Sequence, residues 1–470
     1  MPILREATKI SLKVKDGWRI LYAKPNAVET FNAGASPAFR LARDSCILAV
    51  KIDERLQTFE DILTNVIRSA RISPRTREPG ECQTSEGKLC SLCHAVTLDY
   101  KTEIRLKQEA LTKFWDALRL PCPLDPLVPS PLGRNYRTTT KRRAFLHRRS
   151  VRLGLISAGD GGELKAFPVV QCAIEPRRHC EIFQSTQESI LKPFAGSLTA
   201  QLSYVVIRGN EDEQTIIFNV RNILPGVVRA ANTLSKSLTR SFRTITGLFL
   251  YEDLSSPNYY LGSAERMKRP RFRKLFGKGE VFHRVAGRSF LFSPLSFSQV
   301  NHSILEKMIQ AARTLLATSK EQKLFDLYCG YGLLGLCLAG ECKAVVGVES
   351  SPASISSAIA NARRQKVNNA RFMLSEINEQ TIERLMHTAQ PTDLVLLDPP
   401  RTGTVDGVIE CIAANRPARV LHVFCEIDLI PHELGRWKRS GYKPARAIPL
   451  DMFPGTSLVE TMVLLEPTSV

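Results

Sequence analysis

Long apolar runs are missing from this chain of 470 residues. No stretch approaches the roughly 18 uninterrupted apolar residues of a membrane span, which excludes a helical membrane protein. The opening residues, MPILREATKISLKVKDG, are charged throughout and lack the apolar segment of a secretory leader, so a cytoplasmic location is expected. Internal repeats and low-complexity tracts are also absent, which argues against solenoid and fibrous designs. Acidic residues are in short supply: 46 Asp and Glu stand against 65 Lys and Arg, a net charge of +19. Such a surplus favours a polyanionic partner, nucleic acid first and an acidic membrane surface second, because each neutralised phosphate releases counterions. A basic but non-binding surface is the plainer alternative. The 12 cysteines of a cytosolic chain are not read as a disulfide framework, since that compartment keeps thiols reduced. Most are expected in the core, and some as ligands or a nucleophile.

Hydrophobic residues make up 43% and charged residues 24%, a globular balance able to build more than one domain. Three sections are expected. Residues 1–79 form a small N-terminal section whose pattern is indistinct, closing on the linker-like run Ser73-Pro74-Arg75-Thr76-Arg77-Glu78-Pro79-Gly80. Residues 80–289 form a central α+β section, with a cysteine-bearing loop, a helix over Tyr100–Leu118 and strand-like runs at Val151–Ile156, Phe167–Val170 and Thr215–Val220. In residues 290–470 a helix over Ser303–Leu316 precedes the strands Leu324–Tyr328, Ala344–Val348, Asp393–Leu397 and Val420–Phe424. These alternate with helices over Ser354–Gln365, Val405–Ala414 and Leu429–Ser440. That α/β alternation predicts a parallel sheet covered on both faces, and Ala447–Leu450 with Val459–Leu465 predicts a terminal strand pair.

The first of these strands runs into Asp326-Leu327-Tyr328-Cys329-Gly330-Tyr331-Gly332, where glycines allow a tight turn and close approach to a ligand. The next strand ends on Glu349, at the spacing of a carboxylate that binds both ribose hydroxyls. The dinucleotide pattern would need a third glycine, and Leu333 and Leu334 follow Gly332 instead. Asp398-Pro399-Pro400-Arg401 ends a later strand and sets a carboxylate and rigid carbonyls beside the same crevice, although prolines there also simply end a strand. Cys425 ends the following strand and Glu460 lies on the closing one. A thiol that adds to C6 of uracil turns C5 into a nucleophile, and a base must then remove the C5 proton. Cys425 suits the first task and Glu460 the second. On spacing alone, a strand-end cysteine is more often a buried hydrophobe.

Residues 290–466 resemble the catalytic domain of the RNA 5-methyluridine methyltransferases. The resemblance rests on Phe297-Ser298-Gln299-Val300-Asn301, Asp326–Gly332, Val346–Glu349, Asp398–Gly403, Cys425, and Leu450–Pro454 leading to Glu460. It implies a Rossmann-like S-adenosylmethionine-dependent methyltransferase domain, with Gln299, Tyr328 and Glu349 on the cofactor and Asp398 beside cofactor and target base. Cys425 would be the nucleophile and Glu460 the proton acceptor. Two departures stand out: the family's Ser-Cys-Asn-Pro is Phe424-Cys425-Glu426-Ile427 here, and its frequent His before the glutamate is Leu458. A cytosine C5 methyltransferase also uses a cysteine, but it would be expected to carry a Pro-Cys motif and to lack Glu460. A non-catalytic RNA-binding or ribosome assembly factor would keep the fold alone.

Cys82, Cys90 and Cys93 lie as Cys-x7-Cys-x2-Cys, and Cys172 follows later. Four soft thiolates suit zinc or an iron–sulfur cluster, and Cys-x2-Cys pairs more often mean zinc. The cluster-bearing branch of the same family has three cysteines before its central domain and a fourth after. The resemblance therefore implies a [4Fe-4S] cluster and large-subunit ribosomal RNA as partner, with transfer RNA the alternative and no obligate protein partner. Cys122 and Cys180 rival Cys172 as fourth ligand. The family's usual Cys-Gly-Gly-Cys is Cys90-Ser91-Leu92-Cys93 here. Two basic runs, Arg137–Arg152 and Arg266–Lys278 with Phe272 and Phe276, are candidate RNA contacts or solvated faces. Residues 1–79 are the place of the family's small TRAM barrel, shortened or diverged.

Overall fold

The computed structural model describes residues 57–468 except 77–80, 84–89, 91, 121, 159–163 and 254–270, together with the backbone of three strands before them. Those strands, Val14–Lys15, Trp18–Ala23 and Cys46–Lys51, form an antiparallel sheet. The rest of the expected barrel lies outside the described residues, as does Arg266–Pro270 of the second basic run.

The C-terminal sheet has seven strands: β1 (Lys323–Leu327), β2 (Ala344–Glu349), β3 (Ala370–Leu374), β4 (Leu394–Leu397), β5 (Arg419–Phe424), β6 (Tyr442–Leu450) and β7 (Glu460–Pro467). Their order is β3-β2-β1-β4-β5-β7-β6. The first five run parallel, and β7 pairs antiparallel with both β5 and β6. The expected strand pair is therefore the edge of the same sheet. Because the side-chain period is two, Phe325 and Leu327 of β1 face one layer and Leu324 the other. This is the Rossmann-like arrangement, and its order reverses beside β1, where a crevice opens at the carboxyl ends of the strands.

The two layers recruit residues from well before position 290. On one face lie the helices Phe59–Ser69 and Tyr100–Leu118, sharing a core with Phe325, Val395, Trp437 and Tyr442. Asp99 starts the second helix by accepting from Thr102 N at 2.9 Å, and Arg119 ends it in the left-handed region at φ +51°. On the other face lie Leu305–Leu316 and the hairpin Val281–Val285/Arg288–Phe292, packed against Leu324, Leu396 and Leu421. Sequence patterning alone had placed the long helix with the central section. The expected linker is tethered too: Arg75 N donates to Thr97 O at 2.7 Å and its guanidinium pairs with Glu81.

The central unit is a mixed seven-stranded sheet with the helices Arg177–Ile190 and Pro225–Ser241 packed on one face. Its strand Thr139–His147 carries much of the first basic run, and alternation divides that run. Arg142 points inward, buried, and pairs with Glu175. It is a structural ion pair rather than an RNA contact. Among the described residues no helix is long and apolar enough to cross a membrane.

Candidate active site

The crevice is built by the carboxyl ends of four neighbouring strands. After β1 the chain turns sharply: Tyr328 takes a left-handed φ of +64°, and Gly330 and Gly332 follow at +55° and +84°. A non-glycine residue held there costs on the order of 1–2 kcal/mol, a strain typical of ligand-binding turns. The loop is pinned from β2, where Glu349 Oε2 accepts from Gly330 N at 3.2 Å and Oε1 accepts from Ser351 N at 2.8 Å. Gly347 is required on β2, since a Cβ there would sit 2.4 Å from the Phe372 ring. Beneath the loop, buried Asp326 accepts from Gly335 N at 3.0 Å. Burial, more than the nearby charges of Asp398 and Glu349, pushes its carboxyl up to about 7.

Asp398, Cys425 and Glu460 converge from the ends of β4 and β5 and the start of β7. The Cys425 sulfur and one oxygen of each carboxyl lie within 4.8 Å of one another. Cys425 Sγ donates to Asp398 Oδ1 at 3.5 Å, and Gln299 Nε2 donates to Asp398 Oδ2 at 3.2 Å. Burial pushes Asp398 up to about 6 against these two hydrogen bonds, which hold it down. Glu460 is fully buried, with neither carboxyl oxygen hydrogen-bonded. Burial and then Asp398 raise it well above the usual carboxylate range, while Arg401 opposes them. Cys425 is raised by burial and by both carboxylates, again opposed by Arg401. A buried carboxyl without partners costs stability, and such groups mark sites that await a ligand. Gln299, Asp398, Cys425 and Glu460 thus form one connected set, and Glu349 pins the neighbouring loop that starts at Tyr328.

Sequence reasoning missed what holds this set in place. Arg208 reaches across from the central sheet and donates to Pro294 O at 2.6 Å, Ser296 O at 2.5 Å and Ser298 Oγ at 2.6 Å, fixing the loop that presents Gln299. Arg401 was quoted within a motif without a role; its place directly after the prolines was the available signal. The loop beyond it is anchored where Thr404 N donates to Glu433 at 2.6 Å.

Cys82, Cys90 and Cys93 share one apolar patch with Val96 and Ala173, the neighbour of Cys172 in the chain, but the four are not among the groups of described residues whose ligating atoms lie within 4.8 Å of one another. Cys90 N donates to Cys82 O at 2.7 Å and Cys82 N to Gln171 O at 2.9 Å. Burial pushes Cys93 up to about 12, with Cys90 and Cys82 adding to it. Cys172 feels Glu175 and Cys93 after burial. Of its rivals, Cys180 contacts Glu175 Oε2 at 3.8 Å, and Cys122 packs in the core that holds Trp115. The donor chemistry of Cys82, Cys90, Cys93 and Cys172, soft sulfur, is the kind a thiolate-bound metal centre uses.

The fold and this crevice define the class: a Rossmann-like S-adenosylmethionine-dependent methyltransferase fold. Residues 279–468 match the family described as tRNA (Uracil-5-)-methyltransferase. Over 192 residues the chain is 38% identical to an uncharacterized RNA methyltransferase of Thermosynechococcus vestitus, a match covering 41% of this chain and 42% of that protein. A second, from Thermotoga maritima, is 26% identical over 80% of this chain and 82% of its own length. The match thus spans less than half of the first relative and most of the second. The fold resembles that of Pyrococcus abyssi tRNA (uracil-54, C5)-methyltransferase, solved with S-adenosyl-L-homocysteine. That likeness has a TM-score of 0.57 and 20% identity, over 84% of this chain and 92% of that one.

Proposed function

We propose that this protein methylates carbon 5 of uridine in RNA, with S-adenosylmethionine as methyl donor and Cys425 as covalent catalyst. The reading is carried by one thiol and two carboxyls converging at the switch point of a methyltransferase sheet. Cys425 adds through sulfur to C6 of the uracil and its proton passes to Asp398, the group it already contacts. Electron density moves to the C4 oxygen, and C5 of the resulting enolate takes the methyl group as the S–CH3 bond breaks and the neutral thioether S-adenosylhomocysteine leaves. The donor is a sulfonium cation, which supplies an electrophilic methyl group and a positive charge that favours ionised carboxylates. Glu460 then removes the C5 proton, the C6–S bond breaks, and Asp398 returns a proton to the thiolate. Glu349 would bind the donor's ribose, and Tyr328 and Gln299 would border the donor.

Gln299→Leu tests the electrostatics. The amide stabilises the Asp398 carboxylate, so its loss raises the Asp398 pKa further. Activity needs the ionised form, which is present above about 6 and lost as pH falls through that value. The acid limb of the single-turnover rate should therefore move to higher pH in the variant. An unmoved limb with only a weaker donor affinity would confine Gln299 to cofactor binding.

The cysteine set supports large-subunit ribosomal RNA as substrate; the likeness to the Pyrococcus enzyme favours a transfer RNA uridine as the second reading. Purified protein with labelled S-adenosylmethionine and total RNA from cells lacking the enzyme decides between them. Label is expected in 5-methyluridine of 23S RNA; label in transfer RNA gives the second reading, and another nucleoside rejects uridine. No label would leave an RNA-binding or assembly factor. Cys82, Cys90, Cys93 and Cys172 would hold a [4Fe-4S] cluster, with zinc the alternative. Protein purified without oxygen should contain iron and sulfide that Cys93→Ser loses, zinc would give the alternative, and a metal-free protein would end the assignment.

A further inference from the structure

Two histidines outside the reacting set lie against each other behind the glycine loop. His283, on the hairpin strand Val281–Val285, sets its ring 4.4 Å from that of His302, which opens the single turn before the helix Leu305–Leu316. Each ring reaches a different wall of the crevice. His283 Nε2 is hydrogen-bonded to the hydroxyl of Tyr331, in the glycine loop, at 3.1 Å. The His302 ring is hydrogen-bonded to the backbone of Gln299. The remaining ring nitrogens, His283 Nδ1 and His302 Nε2, are buried without a hydrogen-bond partner. Such atoms are destabilising, and apolar side chains would fill the space more stably. Arg208 completes the arrangement, its guanidinium 5.1 Å over Phe292, whose ring stacks on Tyr331 at 4.7 Å. Burial first, and Arg208 after it, pushes His283 down to about 4. Burial, His283 and Arg208 push His302 well below the ordinary range. Both rings are therefore neutral where Asp398 titrates. A neutral imidazole has one donor nitrogen and one lone pair, so His302 donates through Nδ1 to Gln299 O and leaves its lone pair on Nε2.

We propose that His302, braced by His283, is a positioning residue whose ring holds the Gln299 backbone so that the side-chain amide stays on Asp398. Gln299 Nε2 donates to Asp398 Oδ2 at 3.2 Å. The next peptide is pinned as well, Thr138 N donating to Val300 O at 2.7 Å. A neutral ring gives this grip without adding a charge beside one thiol and two carboxyls. The ionisation of Asp398 is thereby set at one remove, by a ring that acts on it only through Gln299. This role rests on the methyl-transfer function proposed for the crevice.

The acid limb of the single-turnover methylation rate separates the ring from the hydrogen bond, using the full chain, labelled S-adenosylmethionine and total RNA from cells lacking the enzyme. His302→Phe keeps a ring against His283 and loses the donor. His302→Asn keeps a donor near the Nδ1 position and loses the ring. The limb should move to higher pH by roughly half to one pH unit in His302→Phe, because Asp398 loses part of the amide that holds it ionised. In His302→Asn it should stay at the wild-type value. Adding Gln299→Leu to His302→Phe should move the limb no further than Gln299→Leu alone, since both act through one hydrogen bond. A limb moved by His302→Asn and not by His302→Phe would make the histidines packing side chains and overturn the proposal. Additive shifts in the double variant would overturn it too. Wild-type protein that transfers no label to RNA would overturn the methyl-transfer function itself, and this role with it.

Discussion

Replacing Cys425 by alanine should lower methyl transfer by roughly 10⁴-fold or more, because without the sulfur no atom in the crevice can activate C5. Binding of S-adenosylmethionine should survive, since Glu349 and the glycine loop are untouched. The companion change, Glu460→Gln, should stop the reaction one step later. The C6–S bond then persists, because the proton at C5 has no acceptor. RNA should remain attached to the Glu460→Gln protein on a denaturing gel and detach from Cys425→Ala. Adducts with both variants, or with neither while turnover persists, would sink the covalent route. The unpartnered oxygens of Glu460 make the glutamine a mild substitution, because no existing hydrogen bond is broken.

The second large effect is on stability. Lys107 is fully buried between Asp451 at 2.7 Å and Glu103 at 2.8 Å. Glu103 also takes Arg134 at 2.8 Å and Gly455 N, and Tyr100 OH donates to Asp451 at 2.9 Å. Two cations balance two carboxylates, and the cluster clamps the turn that leads into Glu460. Lys107→Met leaves two buried negative charges with one cation, a loss of about 3–5 kcal/mol in unfolding free energy. Adding Asp451→Asn to Lys107→Met should recover part of it, because the uncompensated charge goes. Urea denaturation measures both; a Lys107→Met protein within about 1 kcal/mol of wild type would show that the cluster is not coupled as its geometry implies.

Most strands and helices after residue 320 were legible because each combines a short apolar run with a boundary signal, as at Gly330 and at Pro399, whereas the half-exposed edge strand Ala370–Leu374 and the short helix Glu379–Met386 were missed. The crevice was legible for the same reason: strand ends in such a sheet point to one place, so Tyr328, Glu349, Asp398 and Cys425 had to meet. Long-range partnership was not legible. Nothing local tells that Lys107 meets Asp451, 344 positions later, or that Arg208 crosses to Pro294. Charge counting misjudged Arg142 because a basic run looks uniform until strand alternation turns every second side chain inward. The helix Tyr100–Leu118 was read with the bounds it has, yet its amphipathic face says only that it packs, not on what.

That last helix has a consequence for how the protein can be divided. The family model matches residues 279–468, but one face of the C-terminal sheet is sealed by Phe59, Leu63, Leu111 and Phe114. A fragment cut at the edge of that match would carry Asp398, Cys425 and Glu460 and expose the side chains those residues cover, so it should precipitate. The matched segment and the cooperative unit therefore divide this chain differently: the segment is continuous, whereas the packed unit is assembled from two stretches, with the central sheet inserted between them.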